Sequence, residues 1–343
     1  MAELLLELYS EEIPPQLQIG ARNQLKNFFE KSLDEESINY KELLIYSSPT
    51  RLTLIVKDLA DKIRIDSKEI KGPKVGSPDL ILQGFTKAKN VSQSDLIERE
   101  TEKGKFYFIK TAPKNILVEE LLILMLPNAL ASISWKKSMK WSDYNLMWGR
   151  PLRSIFALFN GKKIAFQFNH LVSSDEIIIE QDLISKSKKI KNFKDYNSLL
   201  KSNNIVLNHN EREKIILKKI NSSLKSKDCK EILNLKLLEE VVNIVEDPNV
   251  LLVNFNKEYL KIPQEIIIST LEKHQRYFPI FDSRGRLTNN FFVVANKKDE
   301  KKFITIGNKR VVEARLADAK FFWDKDRSKN LIKQIANLKT VTF

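Results

Sequence analysis

Apolar residues recur along this chain with two different periods, and proline and glycine mark the switches between them. That combination restricts the fold to packed helices and sheets in one chain. Glu3 to Tyr9 reads as a buried strand, Pro14-Pro15 breaks it, and Leu17, Ala21, Leu25, Phe28, Phe29 and Leu33 then follow at helical spacing. A strand pair is expected next, Leu43 to Tyr46 and Leu52 to Val56, about a turn at Ser48-Pro49. Beyond Gly72-Pro73, Gly76 and Pro78 the pattern predicts a strand at Phe106 to Thr111 and a helix from about Leu117 to Ile133. Residues 150–168 alternate apolar and basic around Gly161, which predicts a helix and a strand. Later come a helix Leu237 to Val245 stopped by Asp247-Pro248, a strand Val250 to Phe255 and a helix begun by Pro263. Strands near Phe278 and at Phe291 to Ala295 precede a helix from about Arg310 to Trp323.

The expected class is therefore α+β and multidomain, with mixed sheets, packed helices and a basic helical segment. The units expected are an N-terminal αβ unit at 1–70, a middle αβ region with a Trp-rich basic stretch at 71–185, a basic helical segment at 186–235 and a C-terminal αβ unit at 236–343. There is no internal repeat. Residues 331–343 leave a helical pattern without a cap, so the chain is expected to stop inside a larger protein.

Burial has to hold such a fold, because Cys229 is the single cysteine and permits no internal disulfide, as in a reducing compartment. With 42% apolar and 30% charged residues the chain is not generally disordered. The apolar run near Leu121 to Met125 is bounded by Glu119, Glu120 and Pro127, and falls short of the roughly 18 residues of a membrane span. The first residues are acidic where a signal peptide is basic, so a cytoplasmic protein is expected.

The chain carries 58 Lys and Arg against 44 Asp and Glu, a net charge of +14. Such a surplus suits a polyanionic partner, yet scattered surface lysines need contact nothing, so the distribution has to decide. Residues 186–230 hold thirteen basic and four acidic residues, a net of +9 that leaves only +5 for the rest. Ile215, Ile216, Ile220 and Leu224 keep helical spacing there, which predicts an amphipathic helix pair with a basic face bearing Lys214, Lys218 and Lys219.

The nine glycines are isolated, and neither GxGxxG nor GxxxxGK occurs. His170, His209 and His274 lie far apart without metal-ligand spacing, and there is no serine nucleophile elbow. No catalytic residue, metal or cofactor is assigned to this chain. One stretch does read as a binding surface: Trp135, Trp141 and Trp148 are interleaved with Lys136, Lys137, Lys140, Arg150 and Arg153. Aromatics that stack on bases beside cations that hold phosphates are what single strands and RNA ends require, although large aromatics are usually buried in a core that the cations merely flank. His274-Gln275-Arg276-Tyr277 sits at an expected helix end, where its cations offset the helix dipole or contact RNA. Glu11-Glu12 are expected to support a helix N-terminus, and Arg315 with Asp318 a structural ion pair.

These segments resemble, in chain order, the β subunit of the bacterial two-subunit glycyl-tRNA synthetases. Glu11-Glu12-Ile13-Pro14-Pro15 is similar to that family's acidic-prolyl start, and Ser48-Pro49-Thr50-Arg51-Leu52 to its Thr-Pro-Arg-Arg-Leu turn. Gly72-Pro73, Gly84-Phe85, Lys137-Ser138-Met139-Lys140-Trp141 and Arg150-Pro151 follow in order. More specific are Leu238-Glu239-Glu240-Val241-Val242, Val245-Glu246-Asp247-Pro248, Lys273 to Phe278, Gly307-Asn308 and Arg315 to Phe322. The family's Gly-His-Arg-Phe element survives only as Asn169-His170-Leu171, and one arginine of the Thr-Pro-Arg-Arg turn is missing. β subunits of the family are much longer, so the chain corresponds to their N-terminal part. The resemblance implies a non-catalytic, tRNA-handling subunit of glycine–tRNA ligase that works with an α subunit in a heterotetramer. ATP and magnesium would then be used by the whole enzyme through α. Lys137, Lys140, Trp141, Arg150, Arg153, Lys214, Lys218, Lys219, His274 and Arg276 become candidate tRNA contacts. A stand-alone RNA-binding module and an inactive truncated remnant are the rival readings, separated by whether an α-type partner, RNA alone or neither co-purifies.

Overall fold

The leucine-rich opening strand is apolar at nearly every position because the sheet it centres is covered on both faces. A computed structural model of the chain describes residues 2–328 except 66, 68, 90, 111–112, 182–183, 226–228 and 231–233, together with Ile332. Apart from Ile332, the expected helix over 331–343 lies outside the described residues. In chain order the helices are α1 (Pro15–Glu35), α2 (Asp79–Lys89), α3 (Val118–Ser132), α4 (Phe193–Ser202), α5 (His209–Lys225), α6 (Leu235–Val242), α7 (Gln264–Ser269) and α8 (Phe303–Arg327).

The first sheet runs Lys162–Lys163, Leu152–Phe159, Ala2–Ser10, Arg51–Leu59, Glu42–Ser47 in space, every neighbour antiparallel. Leu4, Leu6 and Leu8 point to one face and pack with Ala21, Leu25, Phe29 and Leu33 of α1 and with Leu122, Leu126 and Leu130 of α3. Leu5, Ile55, Phe156 and Leu158 fill the other face with Ile177, Ile179 and the α4 residues Tyr196 and Leu200. The second sheet, in the order Cys229–Lys230, Phe278–Asp282, Leu287–Ala295, Asn249–Asn254, is likewise antiparallel and covered twice. Ile216 and Ile220 of α5 with Leu238 and Val241 of α6 cover one side. Ile267 of α7 and Val312 and Leu316 of α8 cover the other. The mixed α+β class thus stands, built from two sandwiched sheets.

Between Arg51–Leu59 and α3 the chain makes a smaller unit, a sheet ordered Glu69–Lys74, Gly104–Lys110, Leu96–Thr101 with α2 beside it. Phe85 of α2 lies over Gly72, where a Cβ would stand 2.6 Å from Phe85 Cε1. The Gly-Pro and Gly-Phe pairs seen in the sequence are therefore two halves of one packing contact.

Residues 150–168 correct the helix-plus-strand expectation: they form the strands Leu152–Phe159, Lys162–Lys163 and Gln167–Phe168, without a helix. Leu152–Phe159 is apolar on both sides because both faces of its sheet are buried, which removes the two-residue alternation. Asn160 (φ 49°) and Gly161 (φ 75°) turn this hairpin in the left-handed region. The basic segment does hold a helix pair, α4 and α5, but Lys186, Lys188 and Lys189 precede it in the strand Ile184–Lys189. Arg315 and Asp318 are both exposed on α8 and no ion pair joins them. Glu11 and Glu12 lie outside the first turn of α1, whose N-terminal end is capped by the fixed geometry of Pro14-Pro15, and Glu11 turns instead to Arg153 at 3.5 Å. Among the described residues no helix is long and apolar enough to cross a membrane.

Candidate nucleic-acid interface

The Trp-rich stretch follows α3 as a loop that the backbone closes on itself. Met139 N–H donates to Trp148 O at 2.8 Å and Trp148 N–H to Met139 O at 3.2 Å, so residues 140–147 project as one closed excursion. Its base is anchored by aromatics: Trp148 is buried, Trp135 tilts against it at 5.1 Å, and Phe168 meets it edge-on at 5.8 Å. Gly149 is required there, since a Cβ would fall 2.5 Å from Trp135 Cε3. The loop's tip carries a second aromatic group. Tyr144 stacks on His170 with ring centres 3.5 Å apart and planes 3° from parallel, and Trp141 meets both rings edge-on at 6.4 and 5.9 Å. Trp141 is half-buried against the first core, while Lys136, Lys137 and Lys140 are exposed.

The remaining candidate cations divide into free and committed groups. Arg150 is half-buried and donates to the carbonyl of Gly149 at 3.0 Å. Arg153 is held by Glu180 at 2.8 and 2.5 Å and lies over the Tyr9 ring, and this pairing keeps the Glu180 carboxyl below its ordinary range. Lys214 and Lys218 are exposed one turn apart on α5; Lys219, also exposed, donates to Pro248 O at 3.2 Å. His274 is exposed at the end of the π-helical turn Thr270–His274 that continues α7. Arg276, at φ 61°, donates through Nε to Glu240 at 2.8 Å and through Nη1 to the Lys273 carbonyl. Loop, α5, the α7 end and the strand Leu152–Phe159 that carries Arg153 are separate elements, so the structure distributes the ten candidates over four places. Tyr144 and His170 escaped sequence reasoning because 26 residues separate the two halves of the stack.

A polar junction joins the two sheets, and the motif segments meet in it. Glu246 Oε1 accepts from Ser48 Oγ at 2.5 Å and Thr50 Oγ1 at 2.9 Å, and stands 3.8 Å from Arg51 Nη1. Arg212 of α5, fully buried, donates to Val242, Val206, Leu207 and Ser47 carbonyls. Burial lowers its pKa to about 10. Gln18 Nε2 reaches Asn243 O at 2.8 Å, and Arg22 Nη1 reaches Asn243 Oδ1 at 3.0 Å. His209 lies beside this group, edge-on to Tyr46, and burial together with the neighbouring Arg22 and Arg212 lowers its pKa to about 4. Beneath it, Glu7 is wholly buried, with Oε2 accepting from Arg51 Nε at 3.1 Å and from Tyr196 OH at 2.5 Å. Desolvation drives the Glu7 pKa up against the pull of Arg51. Ser48-Pro49-Thr50-Arg51 and Val245-Glu246-Asp247-Pro248 are thus parts of one largely buried joint, whose hydrogen-bonding groups are mostly satisfied within the chain.

Among the described residues no cluster of His, Cys, Asp and Glu is arranged to hold a metal ion. The sequence matches the family described as glycyl-tRNA synthetase beta subunit over residues 4–343. It is 34% identical over 344 residues to the glycine–tRNA ligase beta subunit of Rickettsia akari (strain Hartford) and 35% identical over 344 residues to that of Rickettsia peacockii (strain Rustic). Each alignment covers 100% of this chain and 52% of the relative. The chain spans about half the length of the curated relatives it matches.

Proposed function

Because the chain belongs to the glycyl-tRNA synthetase beta subunit family, we propose that it is the tRNA-handling N-terminal part of a glycine–tRNA ligase beta subunit, carrying no chemistry of its own. In this reading an α subunit joins glycine to ATP, with magnesium, and then to the tRNA, and the two kinds of subunit assemble as a heterotetramer in the cytoplasm. The observation that carries the reading is the family match along the whole chain. The loop at 134–151 supports it, with Lys137 and Lys140 exposed beside Trp141, as do Lys214 and Lys218 on α5. Arg153 and Arg276 are committed to carboxylates, so they serve RNA through placement of their elements rather than through a free charge.

The test is glycine-dependent pyrophosphate exchange with ATP, followed by tRNA charging. The purified chain should be inert in both assays, and its co-purification with an α-type subunit should accompany activity. Exchange by this chain in the absence of any partner would overturn the reading.

A further inference from the structure

An exposed ring in a folded chain is costly unless something covers it, and Tyr144 on the 140–147 loop is exposed in contact with the half-buried rings of Trp141 and His170. His170 covers one face of Tyr144, and Trp141 meets an edge of each ring. Even so, 40% of Tyr144 is exposed, and Met147 on the same loop is 48% exposed. The Tyr144 ring is held in place from several directions. The Met139–Trp148 bridge closes the loop, Tyr144 N–H donates to Trp141 O, and Asn169 Oδ1 lies 3.2 Å from His170 Nδ1 in a turn where Asn169 adopts φ 55°. A rigid, flat, half-exposed ring is preorganised to receive another flat ring, since little side-chain freedom remains to be lost on binding.

The charge around it selects the occupant. Lys140 on the loop and Lys136 and Lys137 just before it are exposed, and among the described residues no carboxylate is bonded to any of them; the stretch 134–151 holds the single acid Asp143. A neutral apolar helix would leave those cations uncompensated, and a second copy of a chain with net charge +14 would be repelled. A nucleotide meets both demands, with a π-face for the ring and a phosphate for the lysines. We propose that Tyr144, held by His170, is the landing face for one unpaired base of an RNA strand whose phosphates run along Lys136, Lys137 and Lys140. The proposal rests on the tRNA-handling reading and deepens it. It moves the stacking role from Trp141, which is half-buried in the core, to Tyr144, and gives His170 a positioning role.

The experiment uses the 343-residue chain and three labelled probes: tRNA, a single-stranded RNA of about 12 nucleotides, within the range of known single-strand sites, and a duplex of the same length. Tyr144→Ala should weaken single-strand binding by roughly fivefold or more, the low end of one lost base stack, at an unchanged melting temperature. Its salt slope should stay the same, because stacking releases no counterions. Tyr144→Phe should bind within about twofold of the parent, since the π-face is kept. His170→Ala should weaken binding less than Tyr144→Ala, and His170→Phe should rescue it by restoring the stack. Duplex binding should not respond to Tyr144. Parent-like single-strand binding by Tyr144→Ala overturns the platform while leaving tRNA handling intact. Displacement of the RNA by poly-glutamate at matched charge, equally well with and without Tyr144, assigns the loop to acidic protein and also overturns the proposal. A parent chain that binds neither single strand nor tRNA removes both readings together.

Discussion

Glu7 and Arg51 sit on opposite strands 44 residues apart, yet each is needed to keep the other's charge tolerable under α4. A charge buried without its partner is strongly destabilising, whereas an apolar pair of similar volume is often neutral or better. Arg51→Ala should therefore lower stability by roughly 3 to 5 kcal/mol in denaturant titration, and Glu7→Leu with Arg51→Met should recover most of it. A loss below about 1 kcal/mol for Arg51→Ala would mean that water already reaches Glu7. His209 gives a pH signature. Its folded pKa of about 4 lies below the ordinary 6.5, so between those values the native state binds fewer protons than the unfolded chain. The resulting stability is complete above pH 6.5 and is lost as pH falls towards 4. In His209→Gln that part of the acid sensitivity, roughly 1 to 2 kcal/mol after allowing for partial exposure, should disappear from the difference between pH 7 and pH 4.5 stabilities. Identical pH profiles for parent and variant would refute the assignment. None of these charges was legible as buried in the sequence, because their partners are distant: Glu7 meets Tyr196 across 189 residues and Arg51 meets Glu246 across 195.

At the scale of elements, legibility follows how local the burial pattern is. The periodic spacing in α1 was readable because one face of the helix meets the sheet and the other meets water, and Leu17, Ala21, Leu25, Phe29 and Leu33 are all buried. Leu152–Phe159 was misread because a strand covered on both faces loses its alternation; the Asn160-Gly161 pair after it was the turn signal that should have decided for a hairpin. The basic helix pair was read correctly in kind, but its lysines are not equivalent. Lys214, Lys218 and Lys219 are all exposed, but Lys219 is tied to Pro248 O. Replacing all three with Gln should thus shallow the salt slope of tRNA binding by roughly two units, one per phosphate-contacting lysine, and Lys219→Gln alone should leave it unchanged. A slope unaltered in the triple variant would return α5 to an ordinary solvated face. The 140–147 loop was legible as basic and aromatic, but only folding brings His170 to Tyr144.

For the whole molecule, segments that stand far apart in the sequence have two destinations. Ser48–Leu52 and Val245–Pro248 meet at the largely buried junction between the sheets, where hydrogen bonding accounts for the residue types of Ser48, Thr50, Arg51 and Glu246. The exposed loop and α5 remain as surfaces that a polyanion can reach. Within the junction Arg51 is paired with Glu7 and Glu246, while Arg22 and Arg212 are taken up by neutral oxygens, which leaves the exposed lysines of the loop and α5 as the cations a polyanion would meet. The direct test is equilibrium binding of tRNA to the isolated chain across a salt series. tRNA should bind at low salt, with log affinity falling linearly with log salt at about −0.7 to −0.9 for each phosphate neutralised, over several phosphates. No measurable binding at low salt, or an affinity indifferent to salt, would contradict the tRNA-handling reading.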